Sequence, residues 1–153
     1  MELDTLLDRL KLNHLNECLE SLCEQAAKRE LNYKEFLQQA LEQEWNDRYH
    51  KGIEHRTTLA RLPYVKTLEQ FDFAFQPSID KKVIRELAGL SFVERNDNVI
   101  FLGPPGVGKS HLAIALAVKA IMAGHRVLFM TLDQVLTKLR KAREENKLEK
   151  MLT

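Results

Sequence analysis

The sequence predicts an α/β fold, in which an N-terminal helical module is followed by an incomplete parallel sheet. Leucines recur at helical spacing near the N-terminus. Two short apolar runs rich in β-forming residues, 98–102 and 126–130, are typical of strands buried on both faces. A glycine-rich loop over residues 103–110 links the first run to an Ala- and Leu-rich stretch that predicts a helix.

The first 60 residues are expected to form a helical hairpin. Apolar residues spaced three and four apart over residues 3–28 indicate an amphipathic helix that breaks near Asn13. Asn32 is followed three positions later by Glu35, a pairing close to a capping box. This pair predicts a second helix that begins there and continues to about Leu59.

One side of this second helix carries apolar residues that we interpret as core packing: Phe36, Leu37, Ala40, Leu41, Trp45 and Tyr49. Trp45 and Tyr49 lie one helical turn apart, a spacing more often found in a core than in a base-stacking platform.

Residues 61–77 differ from the flanking helices, since Pro63 and Pro77 disfavour regular structure near the two ends. The alternating aromatic residues of this segment are Phe71, Phe73 and Phe75. They allow either a short strand or an extended linker whose rings pack on a neighbouring domain, and we favour the linker. Ser78 is then expected to cap a helix over residues 79–90.

Residues 103–110 match the pattern G-x-x-x-x-G-K-[ST] at every fixed position, between a predicted strand and a predicted helix. Glycines let the backbone N–H groups face inward, and the following helix N-terminus adds positive potential. Lys109 would bring a full charge to the β- and γ-phosphates, and Ser110 a hydroxyl to Mg²⁺. A Rossmann dinucleotide loop is excluded by the spacing. The candidate nucleotide-binding residues are Gly103, Pro104, Pro105, Gly106, Val107, Gly108, Lys109, Ser110 and His111.

No catalytic residue is predicted. The acidic residues after the loop are Asp133, Glu144, Glu145 and Glu149. None of them directly follows an apolar strand, where the acid that orients water in a phosphate-loop ATPase is expected. Thr131 or Asp133 is interpreted as the cap of a last helix that extends to about Leu152.

Composition is that of an ordinary globular protein, with 44% hydrophobic and 29% charged residues and a net charge of +1. Residues 1–60 contain 8 Lys/Arg against 12 Asp/Glu, whereas residues 61–153 contain 15 against 10. Cys18 and Cys23 form neither a metal motif nor a disulfide framework. Without a signal peptide or an apolar run long enough to span a bilayer, a cytoplasmic location without membrane association is expected.

Three stretches together resemble the IstB helper ATPases of insertion sequences, relatives of the DnaC helicase loader within the AAA+ proteins. They are residues 67–73, residues 85–88, and the loop continued through residue 113. The helical hairpin containing Glu44 and Trp45 also resembles the N-terminal domain of that family. The resemblance divides the chain into a helical domain (1–60), a linker (61–77) and the first part of an AAA+ P-loop ATPase domain (78–153).

By this resemblance, residues 103–110 would be a Walker A loop that binds ATP with Mg²⁺. A full-length relative would self-associate, assemble on target DNA and hand it to a partner transposase. The sequence stops at Thr153, before the expected Walker B strand, so hydrolysis is not expected. The two predicted strands would not be neighbours in an AAA+ sheet. We therefore expect marginal stability, which a single cooperative thermal transition of the isolated chain would contradict.

Three alternatives to this function remain. An interaction module would bind a protein or DNA through residues 1–60 and carry a vestigial nucleotide site, and salt-dependent DNA binding of that segment would favour it. A DnaC-like helicase loader would contact a helicase instead of a transposase, and neighbouring genes would distinguish the two. A small kinase is disfavoured by the long helical module.

Overall fold

In the computed structural model, residues 2–149 are described, as helices joined by turns and extended segments. The helices are α1 (Leu3–Arg9), α2 (Asn13–Lys28), α3 (Tyr33–Ala60), α4 (Lys81–Ala88), α5 (Ser91–Glu94), α6 (Lys109–Met122) and α7 (Leu132–Glu144). A short 3₁₀ turn covers Leu68–Gln70. The chain divides into two compact units, Met1–Glu54 and His55–Thr153. The boundaries expected at residues 60 and 77 stay a prediction.

The predicted parallel sheet is wrong, because residues 2–149 contain no strand. Residues 98–102 and 126–130 are extended but form no ladder with each other. In the second segment, Phe129 N–H donates to the Ala60 carbonyl at 2.8 Å, a single bond to the end of α3.

The physical reason is that a strand exists only beside a partner that supplies alternate N–H and C=O groups. β-Propensity and apolar composition favour an extended backbone but provide no such partner. The segment at residues 98–102 accordingly leaves Ile100 77% and Leu102 89% exposed. The α/β expectation is therefore replaced by helices and extended segments over the described part of the chain.

In the first unit, the predicted helix boundaries are confirmed. The expected break near Asn13 is the turn between α1 and α2, where Lys11 has φ = 57°. At the start of α3, Asn32 N–H donates to Glu35 Oε2 and Glu35 N–H donates to Asn32 Oδ1, both at 3.0 Å. This reciprocal pair is the capping box that the sequence predicted. The buried core consists of Leu7, Leu15, Leu22 and Ala40.

The interpretation of Trp45 and Tyr49 as core residues is wrong, since their side chains are 69% and 41% exposed. The buried side of α3 runs instead through Ala40 and Glu44, one helical turn apart. Leu37, Leu41 and Trp45 form an exposed stripe. This stripe is rotated about 100° around the helix axis from the buried stripe of Ala40 and Glu44. The apolar stripe read from the sequence thus spans two faces, and packing buries only one.

Glu44 is a buried carboxylate that caps α2 from a different helix. The residue is 4% exposed, and its side chain accepts from Leu15 N–H at 2.9 Å and from Arg48 Nε at 2.6 Å. Leu15 is the third residue of α2, so its N–H has no partner within the helix. Burial raises the pKa of Glu44, but the bonds from Leu15 and Arg48 outweigh it and hold the net pKa below its usual value.

The second unit is organised around α6, whose Leu112, Ile114 and Ile121 are fully buried. Leu112 packs with Phe71 and Ile84 in one cluster, against which Leu68 and Phe73 also pack. None of the helices in the described residues is long and apolar enough to cross a membrane.

Two boundaries in this unit differ from expectation, and one is confirmed. Asp80, not Ser78, caps α4, and its Oδ1 accepts from Lys82 N–H at 2.7 Å. Helix α7 ends at Glu144 instead of continuing without interruption, and residues 150–153 lie outside the described residues. Thr131 caps α7 as predicted, with Gln134 completing a capping box.

Replacing the buried carboxylate tests the cap. Glu44→Ala should lower the free energy of unfolding of the first unit by about 2 kcal/mol, because the Leu15 N–H and the Arg48 guanidinium lose their acceptor. Glu42→Ala, an exposed carboxylate on the same helix, should change it by less than about 0.5 kcal/mol. Urea unfolding followed by the fluorescence of Trp45, the only tryptophan, would measure both. Equal losses would contradict the cap.

The lowered pKa of Glu44 predicts that the stability of the first unit depends on pH in the acid range. A pKa lower in the folded state means that its contribution is present above the usual pKa of 4.5 and is lost as the pH falls through the folded value. The stability difference between the wild type and Glu44→Gln should therefore shrink on acidification.

Candidate nucleotide-binding site

The loop at residues 103–108 turns back on itself before α6 begins. Its glycines all have positive φ: Gly103 at 153°, Gly106 at 85° and Gly108 at 89°. Gly108 is the N-cap of α6 and has no side chain to satisfy the helix N-terminus. The first helical bond runs from Leu112 N–H to Gly108 C=O at 3.0 Å. The N–H groups of Lys109, Ser110 and His111 therefore precede the helix bonding pattern, as in an anion-binding helix start.

The Lys109 ammonium lies across the first half of the loop. Its Nζ donates to the Gly103 carbonyl at 2.8 Å and to the Pro104 carbonyl at 2.6 Å. The lysine charge and the positive end of the α6 dipole thus occupy the same loop. Both favour an anionic ligand.

Gly108 has no room for a side chain. A Cβ built there would lie 2.5 Å from Cε2 and 3.0 Å from Cζ of Phe71. Phe71 is itself 9% exposed and belongs to the second-unit core. By contrast, a Cβ on Gly106 would meet no atom within 4 Å.

His111 is half-buried, and its side chain contacts residues of the 61–77 segment. Its Nε2 lies 2.9 Å from the Thr67 carbonyl, an acceptor, so Nε2 must carry the proton. The imidazole also packs edge-on against Phe71, with ring centroids 5.2 Å apart at 77°. In this structure the side chain of His111, which the sequence suggested as a nucleotide contact, binds backbone.

A cavity of about 260 Å³ adjoins the loop on the Phe71 side. Its walls include the polar side chains of Lys66, Gln70 and Asp72, the ring of Phe75 and the backbone at Gly106. Sequence reasoning assigned residues 61–77 to a linker and missed both this cavity and the role of Phe71. The alternation of aromatic residues was the available signal, but it does not reveal which ring meets the loop.

Magnesium would depend on the nucleotide for most of its ligands. The described residues contain no group of three or more His, Cys, Asp or Glu able to hold a metal ion. Ser110 is exposed in the first turn of α6, directly after Lys109 in the sequence. One hydroxyl together with phosphate oxygens and water suits the octahedral oxygen coordination of Mg²⁺.

Comparison with known proteins identifies the family. Residues 5–153 match the family described as IstB-like ATP binding protein. The chain belongs to this family. An IS21 insertion-sequence protein of Pseudomonas aeruginosa, named for ATP binding, is 68% identical over 151 residues, or 99% of this chain and 57% of the relative.

More distant members of the IstB-like family show similar coverage. The IS5376 protein of Geobacillus stearothermophilus is 43% identical over 94% of this chain and 57% of its own length. The IS232 protein of Bacillus thuringiensis subsp. berliner is 34% identical over 99% of this chain and 60% of its own length. Both are also named for ATP binding. The chain thus spans less than two thirds of the length of these relatives.

Comparing alanine substitutions at Gly108 and Gly124 separates the cost of backbone strain from the cost of a steric clash. Gly124 follows α6 at φ = 95°, and a Cβ added there would meet no atom within 4 Å, so Gly124→Ala should cost about 1 kcal/mol of strain. Gly108→Ala adds the clash with Phe71 and should cost about 3 kcal/mol. Amide hydrogen exchange of α6 would measure the loss of stability in both variants. Equal effects would show that the ring does not confine Gly108.

Proposed function

We propose that the chain binds ATP with Mg²⁺ through residues 103–111 and acts as an ATP-binding helper in insertion-sequence transposition. The observation that carries the proposal is the loop itself. Unbonded N–H groups at the start of α6, the Lys109 ammonium and glycines at positive φ converge on one concave backbone turn. Such a turn suits a polyphosphate.

Each residue of the loop has a distinct task in this proposal. The N–H groups from Gly106 to Ser110 would bind phosphate oxygens, and the absence of a Cβ at Gly106 leaves them accessible. Lys109 would hold the β- and γ-phosphates with its ammonium. The Ser110 hydroxyl would be a ligand of the Mg²⁺ that accompanies the nucleotide. The metal would neutralise phosphate charge.

The cavity beside the loop supports a nucleotide over a simple phosphate. It shares Gly106 with the loop and continues to Gln70, so a ligand held by its phosphates has space for a nucleoside there. Its polar walls can offer hydrogen bonds, and Phe75 offers an apolar surface.

The named relatives support the biological setting. Each belongs to an insertion sequence and is named for ATP binding. On this basis we include target DNA and a transposase among the proposed partners of the full-length protein, and self-association among its properties. None of these relatives carries the name of a helicase loader, so that alternative gains no support.

Replacing the loop lysine tests ATP binding. Lys109→Ala should weaken the binding of a fluorescent ATP analogue with Mg²⁺ by about 10- to 100-fold, because a charged contact to phosphate is lost. Lys82→Ala is the matched control, since Lys82 is an exposed lysine in the first turn of α4. The control should bind as the wild type does. A folded wild type that ignores the nucleotide, or equal losses in both variants, would overturn the proposal.

The metal contact is tested in the same titration. Ser110→Ala should reduce the gain in affinity that Mg²⁺ provides and leave binding without Mg²⁺ nearly unchanged. A uniform loss with and without the metal would place Ser110 elsewhere in the site.

DNA binding is a separate test. Residues 61–153 carry 15 Lys/Arg against 10 Asp/Glu, so the affinity for a labelled duplex in the presence of ATP and Mg²⁺ should fall as salt rises. Fluorescence anisotropy from about 50 to 200 mM salt would measure the slope. Undetectable or salt-independent binding would remove DNA from the partners of this chain.

A further inference from the structure

The turn at residues 67–71, hereafter the 67–71 turn, is fastened to α6 at three points. The Thr67 carbonyl accepts from His111 Nε2 at 2.9 Å. Glu69 pairs with Lys119 farther along the helix at 3.4 Å. The ring of Phe71 occupies the space beside Gly108. Two of these contacts reach the first turn of α6 or its N-cap, where the phosphate loop ends.

The 67–71 turn is also closed by its own hydrogen bonds. Thr67 N–H donates to the Gln70 side-chain oxygen at 3.0 Å, while Gln70 N–H donates to the Thr67 carbonyl at 3.3 Å. Phe71 N–H donates to the Leu68 carbonyl at 3.1 Å. The Thr67 carbonyl therefore uses both lone pairs, one within the turn and one toward His111. These hydrogen bonds tie residues 67–71 to one another.

We propose that Phe71 and His111 are positioning residues of the nucleotide site, and that the 67–71 turn is a rigid wall behind the phosphate loop. The inference rests on the proposed function. Phe71 packs in one cluster with Ile84 and Leu112, which restricts the movement of its ring away from Gly108. The position of Gly108 in turn sets the direction of the N–H groups that follow it. The 67–71 turn thereby positions the N–H groups at the start of α6.

Phe73 serves as a control that distinguishes the positioning role of Phe71 from ordinary core packing. It belongs to the same cluster and packs edge-on against Phe71, with centroids 4.8 Å apart. Yet the three atoms nearest to a Cβ on Gly108 all belong to Phe71. Phe73 is thus a matched control of the same residue type, one ring farther from the loop.

The first measurement needs no nucleotide. The nitrogen-15 NMR order parameters of the backbone amides of residues 106–110 in the full chain should fall toward about 0.6 in Phe71→Leu, from about 0.85 for rigid backbone, because the wall recedes from Gly108. Phe73→Leu should leave these order parameters nearly unchanged, whatever it does to the melting temperature. An equal fall in the two variants would reduce Phe71 to a core residue and overturn the inference.

The second measurement couples the two partners. In the wild-type background, Gly108→Ala should strongly lower the affinity for a fluorescent ATP analogue in the presence of Mg²⁺. In the Phe71→Leu background, the fold-loss of affinity caused by Gly108→Ala should be about ten times smaller, because the clash is relieved while the backbone strain remains. An equal penalty in both backgrounds would show that the ring and the glycine act independently and would count against the wall.

His111 is tested by rescue. His111→Ala removes the donor to Thr67 and should weaken nucleotide binding by about tenfold, whereas His111→Gln retains an N–H donor and should recover most of it. Equal losses in Ala and Gln would exclude positioning through this bond. Failure of the wild type to bind nucleotide would overturn the proposed function, while the order parameters of the loop in Phe71→Leu and Phe73→Leu would still decide whether the 67–71 turn holds the loop.

Discussion

The site depends on one steric constraint: the space where Gly108 would carry a side chain is filled by the ring of Phe71. The backbone must turn there at φ = 89°, and α6 must begin at the next residue. Once that turn is fixed, the N–H groups of the first helical turn have a single direction. The Lys109 ammonium falls into the same concavity because it belongs to that turn. In the proposed site, the backbone geometry of this local pattern depends on the contact with Phe71.

The loop and several helix ends could be predicted because their causes are local in sequence. The capping box of α3 needs residues three apart and formed as expected, and Thr131, one of the two residues considered as the cap of α7, caps that helix. The glycines and the lysine of the loop act within a few residues of one another. Contacts such as Phe71 with Gly108 or Glu44 with Leu15 join distant positions. Spacing alone contains no information about which distant residues will meet.

The prediction of a sheet was wrong for the same reason, because pairing between strands joins distant positions. Residues 98–102 have the composition of a buried strand, yet a strand also needs neighbours whose hydrogen bonds it completes. Ile100 and Leu102 are exposed, so their apolar character is not matched by burial within the described residues. The prediction on α3 failed in a related way. Trp45 has the spacing of a core residue, but the side of the helix that packs is decided by what lies opposite it.

The wall behind the loop also has a thermodynamic consequence. If the 67–71 turn holds the loop in its binding geometry, then a ligand that orders the loop must stabilise the turn by the same free energy, because coupling between two sites is reciprocal. The bond from His111 to Thr67 and the contact from Phe71 to Gly108 are the physical carriers of that coupling. Residues outside the phosphate loop would then report the presence of the nucleotide, and the segment that joins α3 to the core would belong to the proposed site.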